Sequence, residues 1–147
     1  MLYTKSSEYA IQAMLHLAEN EGKGLSLVGS IAETSGIPRH FLAKLVQTLT
    51  RHHLVKSYRG RTGGIELARP AANINLLQIV TAIDGPLPEE EMCVIGLDVC
   101  SDDVACPLHN QWKHVKEDIK KALHEQTLAT LAAGMRRKRK QLAALQG

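Results

Sequence analysis

Cys93, Cys100 and Cys106 are the only thiols in a chain of 147 residues, and His109 follows the last of them by three positions. Thiolates beside an imidazole make a soft-to-borderline donor set of the kind that iron and zinc accept. An odd cysteine count, behind an N-terminus that reads as amphipathic rather than as an apolar leader, argues against a disulfide framework. The gaps of six and five residues between the cysteines are wider than the tight knuckles of structural zinc sites. One long loop of this kind suits a multi-atom iron-sulfur cluster better than a single ion. Cluster ligation by Cys, or by His on one iron, tolerates varied spacing, so three ordinary thiols in an acidic loop remain the alternative reading of these residues.

Nothing else in the chain offers comparable chemistry. There is no Gly-x-Ser-x-Gly elbow, no His-Glu-x-x-His pair and no spacing that sets a nucleophile beside a base, so the chain is expected not to be an enzyme. The glycines of Arg59-Gly60-Arg61-Thr62-Gly63-Gly64 resemble a phosphate-cradling loop in composition only. Such a loop opens a helix, whereas Ile65 to Leu67 reads as a strand. His52-His53 suits the C-terminal end of a helix, where a polar or cationic group is favoured.

The length matches one ordinary domain with a dimerising appendage, and no stretch approaches the apolar length of a membrane span. A soluble, cytoplasmic protein is expected, in a compartment that keeps thiols reduced. The net charge of +3 conceals a segregation: residues 1–75 hold nine Lys/Arg against five Asp/Glu, residues 76–132 hold four against ten, and the tail adds Arg136 to Lys140. The basic first part points to a polyanion partner. In the middle part Glu89, Glu90, Glu91, Asp98, Asp102 and Asp103 would oppose an added electron and lower the reduction potential of a nearby cluster.

The elements that must position these groups follow from periodicity. Glu8 to Glu19 reads as an amphipathic helix, with Ile11, Met14, Leu15 and Ala18 on one face. Ser26 is a candidate cap for a second helix through Thr34, Gly36 supplies a turn, and Pro38 suits the first turn of a third helix. That third helix places Leu42, Leu45, Val46 and Leu49 on a buried face and leaves Arg39, His40, Lys44, Gln47 and Arg51 largely off it. Two short helices joined by a glycine turn form a helix-turn-helix. Leu54 to Tyr58 and Ile65 to Leu67 then form a hairpin whose Arg59, Gly60, Arg61 and Gly63 could reach DNA phosphates or a minor groove. Asn75 caps a helix that stops at Asp84-Gly85-Pro86. Pro107 opens a long helix with Leu108, Trp112, Val115, Ile119 and Leu123 in a stripe, either core or the seam of a two-fold dimer. The fold expected is mainly α with a small β-hairpin wing: a winged helix-turn-helix over 1–85, a cysteine loop over 86–107, and a dimerisation helix with a basic C-terminal helix or tail over 108–147.

Tyr3-Thr4-Lys5 with Glu8-Tyr9-Ala10, the Phe41-Leu42-x-Lys44-Leu45 helix, the glycine wing, and Cys106-Pro107-Leu108-His109 before Trp112 together resemble the Rrf2 family of bacterial winged-helix regulators over nearly the whole chain. The resemblance implies a homodimer that binds a pseudo-palindromic double-stranded DNA operator, with Arg39, His40 and Lys44 of the third helix and the wing as contacts. It also implies a 2Fe-2S or 4Fe-4S cluster on Cys93, Cys100 and Cys106. For the fourth ligand it points two ways. His109 matches the branch that senses cluster supply. Glu8 stands where the nitric-oxide-sensing branch has an Asp supplied by the other subunit, and that link between cluster and DNA-binding domain favours Glu8. A cluster-free cysteine thiol switch is the nearest alternative, and an iron-sulfur carrier without DNA binding a more distant one.

Overall fold

A computed structural model describes residues 3–86, 93–96 and 99–147. Helix α1, Lys5–Glu19, starts earlier than its apolar stripe alone suggests, because Thr4 caps it by accepting from the Ser7 amide. Its buried face carries Ala10, Ala13, Met14 and Leu17. Helix α2, Val28–Ser35, has no side-chain cap. Ser26, the expected cap, instead exchanges backbone hydrogen bonds with Ile65 at 2.9 and 2.8 Å. Strand pairing holds the Ser26 backbone in place of a capping geometry, and the helix starts one residue later than a Ser26 cap would have it, with Leu27 as N-cap.

Gly36 ends α2 in the left-handed region, with φ of 66°, a conformation that costs a residue without Cβ nothing. Helix α3, Arg39–Arg51, follows with Pro38 as its N-cap, and Leu42, Leu45, Val46 and Leu49 face inward as their spacing requires. Strands β1, Val55–Tyr58, and β2, Gly64–Leu67, pair antiparallel in the register Val55 to Leu67 and Tyr58 to Gly64. At the turn between them Gly63 is obligatory, since a Cβ there would run into the Tyr58 carbonyl oxygen.

A single 3-10 turn, Ala71–Asn73, leads into α4, Leu76–Asp84. Asn75 and Gln78 form a reciprocal capping box, at 2.9 and 3.0 Å, which satisfies two orphan amides at once. Helix α5, His109–Glu125, begins two residues after Pro107. It ends at Gln126, and Thr127 caps a separate helix α6, Leu128–Gln146, through Thr130. Leu128 joins the core formed with α1, α2, α3, α4 and the hairpin, and Ala132 one turn on is buried as well. Arg139 of α6 is paired with Glu19 of α1 at 2.6 Å, so the basic C-terminal segment is a helix that folds back on the first one.

Candidate nucleic-acid interface and metal centre

Burying one face of α3 leaves the other to solvent: Arg39, His40, Lys44, Gln47 and Arg51 are all exposed. The Arg39 guanidinium folds back over Gly29 of α2, whose absent Cβ would meet Arg39 Cζ at 3.4 Å. That use of Gly29 carries no periodic signal in the sequence. Arg59, Gly60 and Arg61 are exposed on the hairpin tip, while Gly63 is half-buried. Beneath them Leu54, Val55 and Ile65 are fully buried. Tyr58 donates to Glu66 across the strands at 2.9 Å. Two exposed cationic surfaces, one helical and one on a narrow hairpin, are thus carried by a single apolar core, an arrangement that can lay a helix in a major groove with a hairpin on the adjacent backbone.

At the other site, the sulfurs of Cys93, Cys100 and Cys106 all lie within 4.8 Å of one another. Cys93 Sγ is 3.9 Å from Cys106 Sγ. Metal–thiolate bonds of about 2.3 Å in a tetrahedron put neighbouring sulfurs roughly 3.8 Å apart, so the donor set fits thiolates gathered on a single metal centre. Cys100 is buried, and its sulfur accepts from the Cys106 amide at 3.3 Å. The first residue of α5, His109, is buried too, with Nδ1 3.2 Å from Cys100 Sγ. Its Nε2 lies 3.0 Å from Asp102 Oδ1, and Lys113 Nζ reaches the same carboxylate at 3.0 Å.

At Cys106 the Leu108 backbone lowers the thiol's pKa, but desolvation and the neighbouring Cys100 and Cys93 sulfurs outweigh it, and the thiol sits above its ordinary value. Packed thiols resist becoming thiolates together, and a bound cation reverses that cost. The Asp102 carboxyl is held below its usual range, first by His109 and then by Lys113.

Within one chain the structure brings His109 to Cys100, at 3.2 Å, while Glu8 lies on another element. Glu8 lies in the first turn of α1, paired with Lys5 at 2.7 Å. Of the acidic residues expected around the cysteines, Glu89, Glu90, Glu91 and Asp98 lie outside the described residues. Asp102 is committed to His109 and Lys113, a role that only a contact between a loop and a helix reveals. The α5 stripe is split: Leu123 is buried, Trp112 and Ile119 are half-buried, and Leu108 and Val115 are exposed. No helix among the described residues is long and apolar enough to cross a membrane.

Residues 3–134 match a family model described as "Rrf2: Iron-dependent Transcriptional regulator". The chain is similar to the HTH-type transcriptional regulator IscR of Sodalis glossinidius, 33% identical over 133 residues that cover 90% of this chain and 79% of that one. Among solved structures it resembles CymR (YrzC), named as the global cysteine regulator of B. subtilis, with a TM-score of 0.76 and 28% identity over 90% of this chain and 97% of that one. It also resembles T. potens IscR, with a TM-score of 0.72 and 29% identity over 92% and 88% respectively.

Proposed function

The chain belongs to the Rrf2 family of transcriptional regulators, and from that membership we propose that it is a cytoplasmic, homodimeric DNA-binding regulator carrying an iron-sulfur cluster on Cys93, Cys100, Cys106 and His109. The observation behind the metal reading is the convergence of three sulfurs within 4.8 Å with an imidazole nitrogen 3.2 Å from one of them; the choice of a cluster over a single ion rests on the wide cysteine spacing and on the family. Glu8 of a second subunit remains the competing fourth donor. When bound, the cluster supplies a centre that responds to redox state, nitric oxide or cluster supply.

The chain's own residues supply the rest. Cys93, Cys100 and Cys106 hold the loop to the start of α5 through His109. Helix α5 packs on α4, and α4 packs on α1 and α3, so a shift at His109 has a contiguous route to the DNA-facing helix. Asp84, the last residue of α4, also accepts from the Thr4 backbone at 3.0 Å and from the Thr4 hydroxyl, which ties the helix beside the cysteine segment to the N-terminus of α1. The exposed Leu108 and Val115 serve as part of a two-fold seam along α5. Arg39, His40 and Lys44 with Arg59, Gly60, Arg61 and Gly63 engage a pseudo-palindromic operator. A coupling of about 1–3 kcal/mol between metal site and operator corresponds to roughly 5–150-fold in affinity, enough to switch a promoter.

A second reading keeps DNA binding and replaces the cluster with a thiol switch. The 3.9 Å approach of Cys93 Sγ to Cys106 Sγ and the likeness to a cysteine regulator favour it. Two thiols would lose two protons and two electrons to a peroxide and form one disulfide. DNA affinity measured on loaded, chelator-stripped and peroxide-treated protein separates the two. The cluster reading predicts that stripping alone changes affinity. Affinity that ignores stripping and follows a peroxide-formed, reductant-reversible disulfide selects the thiol switch.

A further inference from the structure

We propose that Asp102 is a positioning residue for the metal centre, fixing His109 as the tautomer that turns a bare Nδ1 toward the Cys100 sulfur. The inference rests on the reading of Cys93, Cys100, Cys106 and His109 as the donor set and assigns a residue outside it.

The geometry is a relay through one buried ring. His109 Nδ1 faces Cys100 Sγ at 3.2 Å, and Nε2, on the opposite side of the imidazole, faces Asp102 Oδ1 at 3.0 Å. An ionised carboxylate only accepts hydrogen bonds, so the proton of a neutral ring belongs on Nε2 and the lone pair on Nδ1. Because the ring is buried, water does not compete freely for either nitrogen. Lys113, one turn further along α5, donates to both Asp102 oxygens at 3.3 and 3.0 Å. The carboxylate is thus held from two directions, by His109 and by Lys113. Carboxylates on the far nitrogen of metal-binding imidazoles set the ring's orientation and raise its basicity.

The adjacent Asp103 provides the contrast. It is exposed like Asp102 and carries the same charge, yet among the described residues it makes no hydrogen bond to His109. A general electrostatic effect would make the two aspartates equivalent, whereas a positioning role singles out Asp102. Since Asp102 comes from the loop between Cys100 and Cys106, and His109 and Lys113 from α5, the contact also locks the loop to the helix that carries the fourth donor.

The test compares wild type, D102A, D102N and D103A, each purified anaerobically. Iron and acid-labile sulfide, the visible circular dichroism spectrum and the rate of iron loss to a chelator are measured on the loaded proteins. Exchange protection of the His109 Nε2 proton is measured by NMR on the metal-free ones. D102A should release iron on the order of 10–100-fold faster, alter the visible spectrum and lose the protected proton. D102N, whose amide oxygen still accepts, should recover most of the retention, and D103A should match wild type. D102A indistinguishable from wild type, or D103A as damaging as D102A, overturns the positioning role alone. Wild-type protein that holds neither iron nor sulfide overturns the donor-set reading and this role with it.

Discussion

The hairpin wing and the cysteine segment both present chemistry on short irregular stretches, but they are held in place by different forces. Under Arg59 and Arg61 lie Leu54, Val55 and Ile65, each 2% exposed, and burying side chains of this size contributes about 1.5–3 kcal/mol apiece. Around the cysteines the aliphatics lie outside: Val99 is 69% exposed and Val104 is 70%. Between residues 93 and 109 only Cys100 and His109 are buried among the described residues. Among the described residues that segment is joined by polar contacts between the proposed ligands and Asp102, each of which contributes little beside buried apolar packing. The winged-helix half is therefore held by its own apolar core, while the cysteine half, on the proposed reading, depends on what binds it. A sensor gains from that asymmetry, because the loss of a ligand can rearrange one half without unfolding the other.

The largest effect that would break the contrast is expected at the buried sulfur. Cys100→Ala should abolish bound iron and sulfide in anaerobically purified protein, yet leave helical content and the thermal transition of the winged-helix core close to wild type by far-UV circular dichroism. Global unfolding of that variant would show that the two halves are not independent. In the same assay His109→Ala should weaken metal retention more than Glu8→Ala. The reverse order would move the fourth ligand to the other subunit.

An effect of intermediate size is expected on the other half. Arg59→Ala with Arg61→Ala should weaken DNA binding and reduce the salt slope by about one unit for each phosphate that is no longer neutralised, with metal content unchanged. Unaltered affinity and slope would remove the wing from the interface.

The smallest effect concerns the joint between the halves. Thr4 caps α1 and also bonds Asp84, and Thr4→Ala should cost about 0.5–2 kcal/mol of stability, measured by urea denaturation. Burial pushes the Asp84 carboxyl up, but the hydrogen bonds from Thr4 outweigh this and hold it below its ordinary value. Its contribution to stability is then fully present above the usual carboxylate range and lost as pH falls through the lowered value. Thr4→Ala should accordingly lose more stability at neutral pH than in acid. An equal loss at both would separate Asp84 from the cap.

The contrast between the halves also explains what the sequence revealed. The inward face of α3, the Asn75 cap, the Gly36 turn and the wing were legible because each is written in local spacing or in a backbone preference. Ser26 misled because a serine before a helix reads as a cap, while its pairing with Ile65 is a contact across 39 positions of chain. A separate basic C-terminal helix or tail was expected, but where α5 ends was not legible, because Gln126-Thr127 has neither Gly nor Pro and good helix formers continue on both sides. The cysteines suggested a shared site by their chemistry, and their sulfurs do lie within 4.8 Å of one another. The link from Asp102 to His109 and Lys113 joins an irregular loop to a helix, and no periodicity records such a contact.

Iron and acid-labile sulfide per chain, counted with the absorption spectrum of anaerobically purified protein from iron-replete cells, test the central claim most directly. The account predicts coloured protein with both elements present in stoichiometric amounts. Colourless protein that binds DNA with stoichiometric zinc, or with no metal at all, would contradict it.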